Sequence, residues 1–286
     1  MLRSFIAILL TLLVAPSYGR TVETIVELPI TITNVHAQSY SHLVTITIFR
    51  DDSRQRAPFL VLNHGRPPQR EELEKVGRER FAAQAQYFVS KGFVVFVPTR
   101  IGYGVTGGED VENSGPCSAK DFSSAFECAA QEIVAVIQYA RASPFVDSMH
   151  GLVAGVSVGG LASIAVAARN VRGVLGAVNF SGGNGGNAVD HPERPCGSDV
   201  LRRLIYTFGK STSIPTLWLY SENDKYWGKY FPREWFRAFK ESGGNGAFIS
   251  LPPLMPPLGD DGHKIFGKDP AAWHPAFETF LRQIGM

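Results

Sequence analysis

A serine bracketed by glycines, Gly155-Val156-Ser157-Val158-Gly159-Gly160, stands between an apolar run and an alanine-rich segment. The run Gly151-Leu152-Val153-Ala154 reads as a buried strand, and Leu161 to Arg169 reads as a helix. Strand, G-x-S-x-G and helix together demand a sharp turn that projects the serine hydroxyl above a sheet. Glycines two places before and after the serine let strand and helix pass without side-chain collision. A chain carrying this segment needs a sheet with strand-to-helix crossovers, and its serine lies at the carboxyl edge.

The remaining segments supply that sheet. Thr24 to Thr33 and His42 to Phe49 alternate apolar and polar residues, as the strands of a hairpin with one wetted face do. Phe59 to Leu62 and Phe93 to Val97 are continuous apolar runs, the mark of strands buried on both faces. Val174 to Phe180, Thr216 to Tyr220 and Ala247 to Leu251 complete the strands. Helical spacing predicts a helix over Glu71 to Ser90, stopped by Gly92, and others near Phe126 to Arg141, Asp199 to Phe208, Pro232 to Glu241 and Ala271 to Ile284. Strands alternating with helices place the chain in the α/β class. A mostly parallel sheet is entered by an antiparallel hairpin and covered by helices on both faces. No repeat or low-complexity linker divides residues 20–286, so one domain is expected. Ligands of such sheets bind at the carboxyl ends of the strands.

The first nineteen residues read separately. Met1-Leu2-Arg3 is a short positive stretch, Phe5 to Val14 is an apolar run too short for a bilayer, and Ala15 to Gly19 suits cleavage after Gly19. A signal peptide over residues 1–19 predicts export, to the periplasm or beyond, with no stable membrane insertion once it is removed. A net charge of +2 with 19% charged residues gives no reason to expect a nucleic-acid partner. A monomer or weak homodimer is expected.

In an oxidising compartment the three cysteines, Cys117, Cys128 and Cys196, allow one disulfide and one thiol. Cys117 with Cys196 and Cys117 with Cys128 are both open. Loops holding Cys117 and Cys196 at one sheet edge would favour the first. No cysteine sits on a strand-to-helix turn, and no CxxC or paired His/Cys spacing suggests zinc, so neither metal nor cofactor is expected.

A serine hydroxyl needs a base to accept its proton, and the base needs an acid to hold its tautomer. Asp224 follows the strand Thr216 to Tyr220, and His263 lies in the loop between the last strand and the last helix. The order Ser157, Asp224, His263 leaves room for the intervening strand–helix units. Glu222 is the competing acid, and Asp260 and Asp261 read as turn or solvent residues. His36, His42 and His150 fall at the wrong places for the base, His274 reads as a surface or capping residue, and His191 can line the site. A developing oxyanion needs two donors. The N–H of Val158 at the helix start is one, and the N–H of Arg66 in Asn63-His64-Gly65-Arg66 is the other, with Asn63 and His64 bracing the loop. Tyr103, Tyr226, Trp227 and Phe231 are candidates for an apolar wall around a substrate.

NHGR (63–66), PTRIGYGVTGG (98–108), GVSVGG (155–160), LWLYSEND (217–224) and DGH (261–263) together resemble the dienelactone-hydrolase-like, serine-carboxylesterase branch of the α/β-hydrolase superfamily. The resemblance spans nearly the whole chain after residue 19. It implies esterase-type hydrolysis with Ser157, Asp224 and His263 as triad. Separately, the loop over residues 181–197 is short and offers no obvious lid, so a small-molecule ester is expected as substrate. The name-giving enzymes carry cysteine where this chain carries Ser157, which sets dienelactone itself aside. A prolyl-oligopeptidase-like peptidase or amidase and a non-catalytic binding module are the alternatives.

Overall fold

The computed structural model describes residues 20–286; the expected signal peptide lies outside the described residues. Eight strands form a single sheet: β1 (Thr21–Thr33), β2 (Ser39–Asp51), β3 (Ala57–Asn63), β4 (Val94–Thr99), β5 (Val146–Val156), β6 (Val174–Phe180), β7 (Thr216–Ser221) and β8 (Gly246–Leu251). Their spatial order is β1-β2-β4-β3-β5-β6-β7-β8. The β1–β2 hairpin is antiparallel, and β2 also runs antiparallel to β4. All other pairs are parallel, from β4–β3 through β7–β8. The apolar runs of β3 and β4 are buried on both faces because helices cover both sides of the sheet.

Among the described residues seven α-helices do the covering: α1 (Ala82–Ser90), α2 (Phe122–Ala142), α3 (Val158–Ala167), α4 (Ser198–Ser211), α5 (Phe231–Glu241), α6 (Ile265–Lys268) and α7 (Pro270–Gln283). One core packs α2, α3, α4 and α5 against the sheet through Phe126, Leu161, Leu201 and Trp235. The opposite core packs α1, α6 and α7 through Phe88, Phe266 and Trp273. The chain leaves β3 toward β4 on one side and leaves β5 toward β6 on the other. That reversal opens a crevice at the carboxyl ends of β3 and β5, where α/β sheets hold their ligands.

The helix expected over Glu71 to Ser90 is a correction. Only Ala82–Ser90 is α-helical; Arg70–Glu72 and Glu74–Val76 are single 3₁₀ turns. Gly77 takes a φ of 72°, and the stretch after it is tied to the sheet. Thr47 Oγ1 donates to Glu79 O at 3.0 Å, Thr99 Oγ1 accepts from Glu79 N–H at 2.9 Å, and Arg78 reaches Glu23 and Thr47, each at 2.8 Å. These tertiary bonds take the backbone groups that a continuous helix would use.

Candidate active site

Ser157 occupies the turn between β5 and α3 with φ 55° and ψ −126°, a conformation that non-glycine residues avoid. The neighbouring glycines make the turn possible. A β-carbon on Gly159 would lie 2.2 Å from His64 O, and one on Gly155 would lie 2.4 Å from Gly159 O. Ser157 N–H donates to Phe180 O at 2.9 Å, which anchors the turn to β6. Val158 opens α3, so helix geometry leaves its N–H without an intrahelical acceptor.

The loop after β3 comes up beside it. A β-carbon on Gly65 would lie 3.0 Å from Ser157 Cβ and 3.6 Å from its Oγ. The N–H of the next residue, Arg66, has no acceptor among the described residues. Asn63 and His64 hold the loop down. Asn63 Nδ2 donates to Ala154 O at 3.0 Å and Ser163 Oγ at 3.2 Å. His64 Nδ1 donates to Gly65 O at 2.7 Å, while its Nε2 accepts from Arg100 N–H at 3.0 Å. Burial, together with the charge of Arg100, holds this imidazole neutral, well below its ordinary pKa.

Beneath the loop lies a buried ionic cluster that the sequence reading missed. Arg100 donates from Nη1 to His64 O at 2.8 Å and pairs with Glu112 at 2.5 and 3.1 Å, both side chains being 0% exposed. Glu132 of α2 accepts from Ile101 N–H at 3.0 and 3.2 Å, and burial raises its carboxyl to about 8. One signal was available: Glu132 sits on the stripe Ala125, Ala129, Val136, Ala140, where a solvated carboxylate has no place. Tyr103 belongs to this cluster rather than to a substrate wall, which corrects the sequence expectation. Its hydroxyl donates to Glu112 at 2.6 Å and accepts from Arg66 at 3.3 Å, and the ring is fully buried. The loop folds back on itself, with Gly102 N–H on Gly107 O at 2.7 Å, and this turns the ring inward.

On the other side, Asp224 follows β7 and is fully buried. Its Oδ1 accepts from the N–H groups of Tyr226 at 2.8 Å and Trp227 at 3.1 Å, and its Oδ2 meets His263 Nδ1 at 3.0 Å. His263 lies in a 3₁₀ turn, Gly262–Lys264, which leads into α6. Asp261 caps that turn. Its buried Oδ1 accepts from His263 N–H and Lys225 N–H, both at 3.1 Å, so it joins the two loops and is not a solvent residue. The ring of Tyr226 stacks on that of His263, centroids 4.1 Å apart. Glu222 is exposed and reaches only Ser250.

Two cavities meet at Ser157. The larger, about 320 Å³, is walled by Arg66, Lys120, Val158, Asn184, Tyr226 and Trp227 among others. The smaller, about 290 Å³, is walled by Gly65, Arg66, Val76, Phe81, Val156, Tyr226 and His263. Ser157 lines both. It makes no side-chain hydrogen bond to His263, but both residues line the smaller cavity. Tyr226 thus lines both cavities, whereas Trp227 reaches only the larger, its Nε1 donating to Ser181 O at 2.8 Å. Phe231 packs beside Trp235 instead. Cys117 and Cys196 form a disulfide in the wall of the larger cavity, and Cys128 is a buried thiol. His191 lines that cavity too, 3.7 Å from Cys196 Sγ, and His274 stacks on Tyr87. Among the described residues no His, Cys, Asp and Glu groups are arranged to hold a metal ion, and no helix is long and apolar enough to cross a membrane.

Comparison of whole folds finds solved proteins of similar shape. A dienelactone-hydrolase-like promiscuous phosphotriesterase from metagenomic libraries superposes with a TM-score of 0.55 at 14% identity, covering 91% of this chain and 98% of the other. The fold is that of the α/β-hydrolases. An esterase from Pyrococcus furiosus matches with a TM-score of 0.53 at 14% identity, over 90% of each chain. The Pyrococcus horikoshii acylaminoacyl peptidase matches with a TM-score of 0.58 at 16% identity, over 93% of this chain but 42% of that longer one. No protein-family model and no curated protein matches the sequence. The α/β-hydrolase architecture therefore rests on shape, with the antiparallel entry, the parallel sheet and the helices on both faces as expected from the sequence.

Proposed function

We propose that this protein is an exported serine hydrolase that cleaves carboxylic esters through Ser157, His263 and Asp224. The observation that carries the reading is the strained Ser157 turn, which opens on the same cavity as a histidine bonded to a fully buried carboxylate. Ser157 Oγ attacks the ester carbonyl while His263 Nε2 takes its proton, and the Val158 and Arg66 N–H groups receive the oxyanion. His263 then returns the proton to the departing alcohol, and water admitted to the same base releases the acyl group. Asp224 fixes the imidazole through Nδ1 and stabilises its charged form. Export is supported by the leader-like residues 1–19 and by the disulfide.

A fluorophosphonate should label Ser157 alone, and Ser157→Ala should lower p-nitrophenyl acetate hydrolysis by a factor on the order of 10⁴ or more without unfolding the protein. Labelling of another serine, or a variant retaining a tenth of the activity, would defeat the assignment. Faster turnover of aminoacyl-nitroanilides than of esters would move the reading to an amidase.

A further inference from the structure

We propose that the larger cavity is the acyl subsite and that it selects acyl groups ending in a carboxylate, so that the substrates are half-esters of dicarboxylic acids. The inference rests on the reading of Ser157 as nucleophile and adds the substrate class. His263 lines only the smaller cavity, and Val158 lines only the larger one. The base that took the serine proton must hand it to the leaving alcohol, so the alcohol leaves on the His263 side. The acyl chain then extends past Val158 into the larger cavity.

The two walls differ in chemistry as this division requires. The smaller cavity offers Pro67, Val76, Phe81 and Val156 to an uncharged alkyl group; it shares Arg66 with the larger cavity, and its one acid is Glu79. The larger cavity holds three cations, Arg66, Arg70 and Lys120, against one carboxylate. That carboxylate, Asp110, is already gripped by Arg66 at 2.6 and 2.7 Å. Lys120 Nζ donates to Gly115 O at 2.6 Å and Ser114 Oγ at 3.3 Å, and among the described residues no carboxylate lies within ion-pair distance of it. Burial, with the neighbouring Arg66 charge, lowers its pKa, as an ammonium without a counterion should show.

Asn184 adds a buried donor to the same wall. It is 6% exposed and lines the cavity. Its Oδ1 accepts from Gly185 N–H at 2.7 Å and from Ser114 Oγ at 3.5 Å, which leaves Nδ2 buried with no partner. Ser114 therefore links the uncompensated ammonium to the unsatisfied amide. A buried donor left unpaired is costly, and a ligand oxygen at this wall would remove that cost. Donors and positive charge without acceptors to match fit a carboxylate. In the reaction the Ser157 Oγ–acyl bond forms and the acyl–alkoxy bond breaks, the serine proton passing through His263 to the alkoxide. Water then cleaves the acyl-enzyme to give the dicarboxylate and regenerate the hydroxyl.

The test compares kcat/KM for the monomethyl esters of succinic, glutaric and adipic acid with methyl pentanoate, hexanoate and heptanoate, their neutral counterparts. The best half-ester should exceed its counterpart by on the order of tenfold. Salt at about 0.5 M should shrink that ratio, and Lys120→Met and Asn184→Asp should each collapse it. Equal or better turnover of the neutral esters by the unaltered protein overturns the proposal, as does a ratio unchanged in both variants. If no ester of either kind is cleaved, the nucleophile reading fails on its own. The subsite is then judged by calorimetry with adipate and 1,6-hexanediol: adipate binding that Lys120→Met abolishes supports it, and equal or absent binding refutes it.

Discussion

The loop after β3 and the paired loops after β7 and β8 both bring groups to the cavities at Ser157, yet one side is braced by a buried ion pair and the other by backbone donors. Behind Gly65 and Arg66 stand Arg100 and Glu112, a fully buried pair, with Glu132 beside them. Behind His263 stand backbone N–H groups on Asp224 and Asp261 and the face of Tyr226. Ionic bracing is rigid but unforgiving, since removing one partner strands the other charge in a low-dielectric interior. Backbone donors to a carboxylate fail by degrees, one bond at a time.

The largest expected difference comes from breaking the ionic side. Arg100→Met should cost about 3–5 kcal/mol of unfolding free energy, because Glu112 is left unpaired. Denaturant melts will measure this; a loss under 1 kcal/mol would mean that the two braces are alike. Glu132 gives the comparison a pH axis. Its folded pKa, raised by burial to about 8 from an ordinary 4.5, means that the carboxyl stays protonated in the fold where the unfolded chain ionises. Its contribution is fully present below the unfolded value and is lost as pH rises through the folded one. Stability should therefore fall by about 2 kcal/mol between pH 6 and 8, and Glu132→Gln should flatten that slope. A slope that survives the substitution would show another group to be responsible. The smallest effect belongs to the neutral side. Asp261→Ala removes a cap from the His263 turn and should cost about 0.5–2 kcal/mol, with kcat for an ester falling more than KM changes.

The sequence exposed the β7 side better than the β3 side. The pairing of Asp224 with His263 was legible because each follows a strand at the carboxyl edge of the sheet. Asp261 was legible as a turn residue, but its burial and its bond to Lys225 N–H were not, because an aspartate in Asp-Asp-Gly is usually solvated. Arg100, Glu112 and Glu132 were invisible as a group. Their separations along the chain carry no period, and only the loop fold of 100–112 brings them together. Tyr103 was misassigned for the same reason, since an aromatic near a strand end can face a cavity or the core. The broken helix at 70–80 shows the other limit. Its apolar spacing is helical, but Glu23, Thr47 and Thr99 lie on strands far off in sequence, and their bonds prevail over local propensity.

The disulfide has a temporal consequence. Ser157, Asp224 and His263 sit on strand ends and turns held by packing and hydrogen bonds, while Lys120 and Asn184 sit on the two loops that Cys117 and Cys196 clamp. A freshly made chain with free thiols has the same strand ends but an unclamped wall. On the proposed assignment, oxidation is then a finishing step that fixes the wall facing the acyl group.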